Sequence, residues 1–126
     1  MNGFLLVFLG GGLGAAARHG INLLAVQAGA IRYPVSTFLI NVAGSLLIGV
    51  LAESFALFTQ WSGNARLFLV TGVLGGFTTF SAFSLEVGLL YERGERGAAA
   101  LYAVASVLCA VGAMFAGMYA VRRFAG

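Results

Sequence analysis

Four long apolar runs dominate this sequence, and they leave few charged side chains to form a soluble surface. Only 9% of the 126 residues are charged and 60% are hydrophobic, whereas soluble domains carry roughly 25% charged residues. A membrane-spanning helix needs ~20 apolar residues, so the chain has room for four such helices and no separate soluble domain. The sequence therefore predicts an all-α membrane protein with a single transmembrane domain.

The predicted transmembrane helices cover residues 3–28, 34–58, 66–91 and 97–121. The segments between them are too short to cross a membrane, so successive helices are predicted to be antiparallel, with both termini on one side. The chain contains seven arginines and no lysine, and its net charge is +3. Because these arginines flank apolar runs instead of forming a basic stripe, they do not indicate a nucleic-acid partner.

The arginines at the ends of the helices divide evenly between the two sides of the membrane. The terminal side holds Arg66, Arg122 and Arg123, and the opposite side holds Arg32, Arg93 and Arg96. Membrane proteins usually carry an excess of Lys and Arg on the cytoplasmic side. The balance favours dual topology, in which copies insert in both orientations and pair as an antiparallel homodimer. The alternative is a weak bias with the orientation set by other features.

The third apolar run is interrupted by two adjacent glycines and two adjacent threonines. Glycine costs about 1 kcal/mol in a helix interior, and threonine is a weak helix former. The helical rise places this interruption, Gly75 to Thr79, near the middle of the membrane. Broken helices expose backbone groups that bind ions or substrates in many transporters. The alternative is a glycine-rich kink that serves packing alone.

Aromatic and hydroxyl side chains alternate directly after the interruption. Phe80 and Phe83 share one helix face, and Ser81 and Ser84 share an adjacent face. The edges of aromatic rings carry positive partial charge. A row of ring edges and hydroxyl donors suits a small anion that must bind weakly enough to leave. The alternative is that these phenylalanines face lipid or the protein core.

Further polar residues are predicted at membrane depth. Asn41 lies on a stripe with Thr37 and Ser45 in the second helix, and Tyr102 and Ser106 lie one turn apart in the fourth. Such groups are costly in lipid and usually face a partner or a cavity. Asn41 is equally suited to an interhelical hydrogen bond, and the hydroxyl of Ser106 can bond to its own backbone.

Arg18 and Glu86 are charged residues inside the first and third predicted helices. Arg18 can extend to the interface, hold an anion at a vestibule or pair with a carboxylate. Glu86 is interpreted as an interfacial or structural group in preference to a proton relay. The sequence contains no Ser/His/Asp set, no paired intramembrane carboxylates and no cluster of metal-ligating side chains, so the chain is not expected to be an enzyme.

Three motifs resemble the Fluc (CrcB) family of small fluoride channels, and the resemblance covers essentially the whole chain. The first run, Gly10 to Arg18, resembles the family's glycine-rich first helix, and Asn41 to Gly44 resembles its motif in helix 2. The most specific match is to the family signature GG-x-TTFSTFS, which is similar to Gly75-Gly76-Phe77-Thr78-Thr79-Phe80-Ser81-Ala82-Phe83-Ser84.

This resemblance implies an antiparallel dual-topology dimer in the bacterial plasma (inner) membrane. Such a dimer conducts fluoride passively, is selective over chloride, and exports fluoride that entered the cell as neutral HF. The resemblance also implies a structural sodium ion at the dimer centre, held by the backbone carbonyls of Gly75 and Thr78. Arg18 and Glu86 match vestibule positions. The implied fluoride pathway comprises Asn41, Thr79, Phe80, Ser81, Phe83, Ser84, Tyr102 and Ser106.

The sequence departs from the family pattern at two positions. Ala82 stands where the family usually has threonine, and Ala110 stands where relatives often carry a second serine on helix 4. Each change removes a hydroxyl from the implied path, so selectivity or rate can differ from that of other members.

Two other functions are alternatives to a fluoride channel. A small four-helix dual-topology proton-coupled multidrug antiporter needs a membrane-embedded carboxylate, typically in the first helix, and the first run here has neither Asp nor Glu. A membrane subunit without transport activity would leave the interrupted helix and the polar stripes unexplained.

Overall fold

The computed structural model describes residues 2–58 and 60–125, and its regular elements are helices. They are α1 (Gly3–Gln27), α2 (Val35–Leu57), α3 (Gly63–Arg66), a π-helical segment (Leu67–Leu74), α4 (Gly75–Phe77), α5 (Phe80–Glu92) and α6 (Arg96–Ala125). Within this part of the chain, four helical spans are long and apolar enough to cross a membrane: Gly3–Gln27, Val35–Leu57, Gly63–Glu92 and Arg96–Phe124. The prediction of four membrane-spanning helices, the third of them interrupted, is confirmed.

The interruption of the third span is confined to Thr78 and Thr79. Their backbones are extended, with φ/ψ of −83°/157° at Thr78 and −151°/121° at Thr79. Gly75 and Gly76, which were predicted to belong to the interruption, continue the helix instead. The helical conformation packs the backbone of Gly76 directly against α1, where an added Cβ would overlap the backbone of Gly11.

A π-helical segment of eight residues, Leu67–Leu74, precedes the interruption. π-Helices are rare and usually occur as single-turn bulges, often at functional sites. This segment was not predicted from the sequence, because its residues are ordinary for any apolar helix. The third span is therefore α-helical at Gly75–Phe77, π-helical before it at Leu67–Leu74, and extended after it at Thr78 and Thr79.

Glycines bring α1 and the third span into close backbone contact. Gly10 and Gly14 are the buried residues of α1, and a Cβ on Gly14 would overlap the carbonyl oxygen of Val73. On the other side of the bundle, Gly49 and Gly117 allow α2 and α6 to approach in the same way. Small residues at helix contacts are the usual means by which membrane helices pack tightly.

Ion pairs at the helix ends show which connections share a membrane side. Arg32, between α1 and α2, lies 3.4 Å from Glu95, between α5 and α6. Glu53, near the end of α2, lies 3.0 Å from Arg122, near the end of α6. Successive spans are therefore antiparallel within the chain.

Candidate functional site

Asn41 of α2 holds the interruption in place through two hydrogen bonds to Thr79. Its Nδ2 donates to the carbonyl oxygen of Thr79 at 3.0 Å, and the amide N–H of Thr79 donates to its Oδ1 at 2.9 Å. A buried backbone group left without a partner is costly. One side chain thus satisfies both backbone groups of an extended residue inside a membrane span.

The two threonines end one helix and begin the next. The N–H and the Oγ1 of Thr78 both donate to the carbonyl oxygen of Leu74, at 3.0 and 2.9 Å. The Oγ1 of Thr79 accepts from the N–H of Ala82 at 3.1 Å and caps α5. Threonine is a good N-cap because its hydroxyl satisfies an amide of the first turn.

The carbonyl oxygens around the interruption accept few hydrogen bonds from outside the helices. The carbonyl oxygen of Gly76 accepts from Nε of Arg18 at 3.2 Å. Among the described residues, none of the hydrogen bonds formed outside the helices ends on the carbonyl oxygens of Gly75, Phe77 or Thr78. Gly75 and Thr78 are the two residues that the family resemblance assigned to a cation, and unwound backbone carbonyls coordinate sodium in transporters.

A groove of about 320 Å³ lies beside the interruption, between α2, the third span and α6. Its lining is mostly apolar. Phe80 is 76% exposed in the single chain, whereas Ser106 is buried and its hydroxyl has no hydrogen-bond partner within residues 2–58 and 60–125. The groove brings together seven of the sequence-predicted site residues: Asn41, Gly75, Thr78, Thr79, Phe80, Phe83 and Ser106.

An aromatic row leads from the groove to Glu86. The ring centroids of Phe80 and Phe83 are 5.5 Å apart, and those of Phe83 and Tyr102 are 5.2 Å apart. The hydroxyl of Tyr102 donates to Oε1 of Glu86 at 3.0 Å. The hydroxyl of Thr37 donates to Oε2 of Glu86 at 2.9 Å. Both carboxylate oxygens of this intramembrane acid therefore have a donor.

The remaining predicted residues lie outside the groove. Ser81 is exposed, with its hydroxyl 3.3 Å from that of Thr79. Ser84 lines a separate groove between α5 and α6. Glu86 lines a cavity between α1, α2 and α5. Arg18 is bonded to the backbone beside the interruption and makes no ion pair among the described residues.

Two residues around the site were not assigned a role from the sequence. Thr37 is buried, 4% exposed, and donates to Glu86. Gly44 packs against the interruption, because a Cβ there would overlap the methyl group of Thr78. Both positions are separated from Asn41 by about one helical turn, so they share its face of α2. That spacing had already placed Thr37 on the predicted polar stripe, and Gly44 belongs to the helix 2 motif, but the contact of each with Glu86 or Thr78 was not predicted.

The fold and the site define a class of protein: a four-span membrane protein with an interrupted third helix, a side chain that locks the interruption, and an adjoining aromatic and hydroxyl-lined groove. The chain belongs to the CrcB-like protein family, since the family model described as "CrcB-like protein, Camphor Resistance (CrcB)" matches residues 5–118. The family suggested by the sequence motifs is thereby confirmed.

Curated relatives match over nearly their whole length. A protein from Nitrobacter hamburgensis named fluoride-specific ion channel FluC 2 is 55% identical over 119 residues, which cover 94% of this chain and 96% of the relative. The fluoride-specific ion channel FluC of Hyphomonas neptunium is 55% identical over 124 residues, 98% of each chain. A FluC protein from Rhodopseudomonas palustris is 54% identical over 119 residues, 94% of this chain and 96% of the relative.

Proposed function

We propose that this protein is a fluoride-selective ion channel that passes fluoride passively across the bacterial plasma membrane and so lowers its cytoplasmic concentration. The observation that carries this function is the near full-length similarity to relatives named as fluoride-specific ion channels. Those names agree with the expectation that the chain is not an enzyme. The four apolar spans and the family fit a multi-pass protein of the bacterial plasma membrane.

The groove and the aromatic row offer fluoride partial positive charges, from ring edges and a hydroxyl group, and no full positive charge that would bind it tightly. The ring edges of Phe80 and Phe83 and the unpaired hydroxyl of Ser106 can replace part of the hydration shell of a small anion. Neither Arg nor Lys lines the groove. An ion path needs such weak binding, since a site that held fluoride tightly would not release it.

A second copy of the chain, inserted in the opposite orientation, is proposed to cover the groove. Phe80 is 76% exposed in the single chain, and lipid cannot solvate an anion at this depth. The even division of boundary arginines supports both insertion orientations. In this arrangement the two interruptions face each other near the centre of an antiparallel homodimer.

A sodium ion is proposed to lie between the two interruptions. The carbonyl oxygens of Gly75 and Thr78 accept none of the hydrogen bonds that described residues form outside the helices, and two copies would contribute two pairs of them. When bound, sodium would supply a fixed positive charge that holds the copies together and offsets the charge of passing anions.

The antiporter alternative is not favoured. Proton coupling in such antiporters needs a membrane-embedded carboxylate, typically in the first helix, whereas α1 contains neither Asp nor Glu. Glu53 of α2 pairs with Arg122, and Glu86 of α5 accepts from Thr37 and Tyr102. The other acid of α5, Glu92, is the last residue of that helix.

Ion efflux from liposomes that contain only the purified protein tests the proposed function. Fluoride release is followed with a fluoride electrode. It is expected as soon as a potassium ionophore lets potassium leave with fluoride, so that no opposing membrane potential builds up. Chloride release from matched vesicles is expected to stay at the level of protein-free liposomes. Equal release of the two anions, or no release of fluoride, would exclude the proposal.

Replacing Phe80 or Phe83 tests whether the aromatic row lies on the path. Phe80→Ile and Phe83→Ile each remove ring edges and are expected to lower fluoride flux by about tenfold, the equivalent of ~1.4 kcal/mol in the barrier. Phe8→Ile makes the same change on a side chain of α1 that is 73% exposed and should leave the flux within twofold of the wild type. Normal flux in both groove variants would place the path elsewhere.

A further inference from the structure

A cavity of about 390 Å³ lies between α1, α2 and α5, at the far end of the aromatic row from the groove. We refer to it as the α1–α2–α5 cavity. Glu86, which ends the row, lines this cavity together with its donor Thr37. Its polar lining also includes Asn22, Arg32, Ser36 and Arg93.

The lining of the α1–α2–α5 cavity is rich in hydrogen-bond donors. The amide of Asn22 and the hydroxyl of Ser36 take part in none of the side-chain hydrogen bonds found between described residues. Arg32 and Arg93 add two guanidinium groups, which always carry charge. The one carboxylate in the lining, that of Glu86, already accepts from two hydroxyl groups. An anion therefore finds free donors in this cavity, and a cation does not find a free carboxylate.

Glu95 holds the two guanidinium groups together without lining the cavity. Its carboxylate lies 2.7 Å from Arg93 and 3.4 Å from Arg32, and it accepts from the hydroxyl of Tyr33 at 3.0 Å. Arg93 also donates to the carbonyl oxygen of Arg32 at 2.9 Å. The hydrogen bond from Tyr33, together with the neighbouring arginines, lowers the pKa of Glu95, so this carboxylate stays charged at neutral pH.

We propose that the outer end of the α1–α2–α5 cavity is an anion-binding site in which Arg32, Arg93 and Asn22 hold fluoride next to the end of the aromatic row. This inference rests on the proposed function and adds a site to it. The two arginines and Glu95 carry a net positive charge, which raises the local concentration of anions. Glu86 at the inner end opposes this charge and keeps the bound anion exchangeable.

Arg96 provides a matched control for the two arginines. It begins α6 at the same end of the bundle, and its guanidinium lies 4.9 Å from the centre of the Tyr91 ring. It lines the groove between α5 and α6 and not the α1–α2–α5 cavity. A substitution there changes the charge of the same membrane face but leaves the proposed site intact.

The test is the dependence of fluoride current on fluoride concentration in planar bilayers. Arg32→Gln and Arg93→Gln should each raise the half-saturating fluoride concentration by about fivefold, as expected for the loss of one nearby charge. The current at saturating fluoride should stay within twofold of the wild type. Arg96→Gln should shift the half-saturating concentration by less than twofold. Arg93→Lys, which keeps the charge, should restore most of the loss.

The result that overturns this inference is an equal shift in Arg32→Gln, Arg93→Gln and Arg96→Gln, since only the total charge of the face would then matter. The inference is also overturned if neither Arg32→Gln nor Arg93→Gln changes the half-saturating fluoride concentration. If Arg93→Gln does not fold because its contacts with Glu95 and the Arg32 backbone are lost, Arg32→Gln decides alone, because that side chain is 74% exposed. A wild-type protein that passes no fluoride contradicts the proposed function itself, whereas these shifts concern only the added site.

Discussion

The amide of Asn41 is placed where a membrane span would otherwise leave two backbone groups without partners. Water is absent from the hydrocarbon core, so the N–H and C=O of Thr79 can be satisfied only by protein. Polarity at membrane depth was sufficient to select Asn41 from the sequence. Its partner could not be predicted, because the partner is a backbone group 38 positions away that is free only where the helix is interrupted.

Asn41→Leu is expected to destabilise the folded protein. It leaves both backbone groups of Thr79 unpaired, at a cost of about 1–3 kcal/mol for each group. Thermal unfolding in detergent, followed by circular dichroism, measures the loss as a lowered midpoint. Asn22→Leu, the same change at an amide that makes no described hydrogen bond, should cause no such loss. Equal stability of Asn41→Leu and the wild type would mean that Thr79 finds other partners.

The sequence of the third span predicted its interruption but not its form. Two glycines followed by two threonines reduce helix propensity over the whole stretch, so propensity alone cannot say which residues leave the helix. Gly76 packs against α1 while it remains helical, and the side chains of Thr78 and Thr79 stabilise the two new helix ends. The π-helical segment has no signature in its residues, which are ordinary for any apolar helix.

The contact between α1 and the third span predicts opposite effects for two glycines of one helix. Gly14→Ala places a methyl group on the carbonyl oxygen of Val73, and the backbone shift that relieves the overlap should cost about 1–3 kcal/mol. A Cβ on Gly12 meets no atom within 4 Å, so Gly12→Ala should stabilise the helix by up to ~1 kcal/mol. The midpoints of thermal unfolding in detergent compare Gly14→Ala with Gly12→Ala. Equal destabilisation by the two substitutions would mean that α1 does not pack as described.

At the scale of the whole molecule, the balance of arginines predicts how insertion can be controlled. Gln60→Arg with Asn64→Arg adds two exposed charges to the terminal side, and Gln27→Arg with Ala28→Arg adds two to the opposite side. Each biased variant should insert in one orientation and pass little fluoride alone, because the antiparallel dimer needs both orientations. Co-expression of the two should restore flux.

Insertion of each biased variant can be followed by labelling an added terminal cysteine from outside the cell. A variant that is fully labelled on one side and still conducts alone at the wild-type rate would contradict the antiparallel arrangement. It would leave the channel function standing, because a parallel dimer could then carry the current.

The most direct test of passive, fluoride-selective conduction is the reversal potential of the purified protein in a bilayer with opposed fluoride and chloride gradients. A passive fluoride-selective channel predicts a reversal at the equilibrium potential of fluoride, unchanged when a pH gradient is imposed. A reversal at the chloride potential would contradict the proposed selectivity. A potential that follows the proton gradient would contradict passive conduction and support coupled exchange.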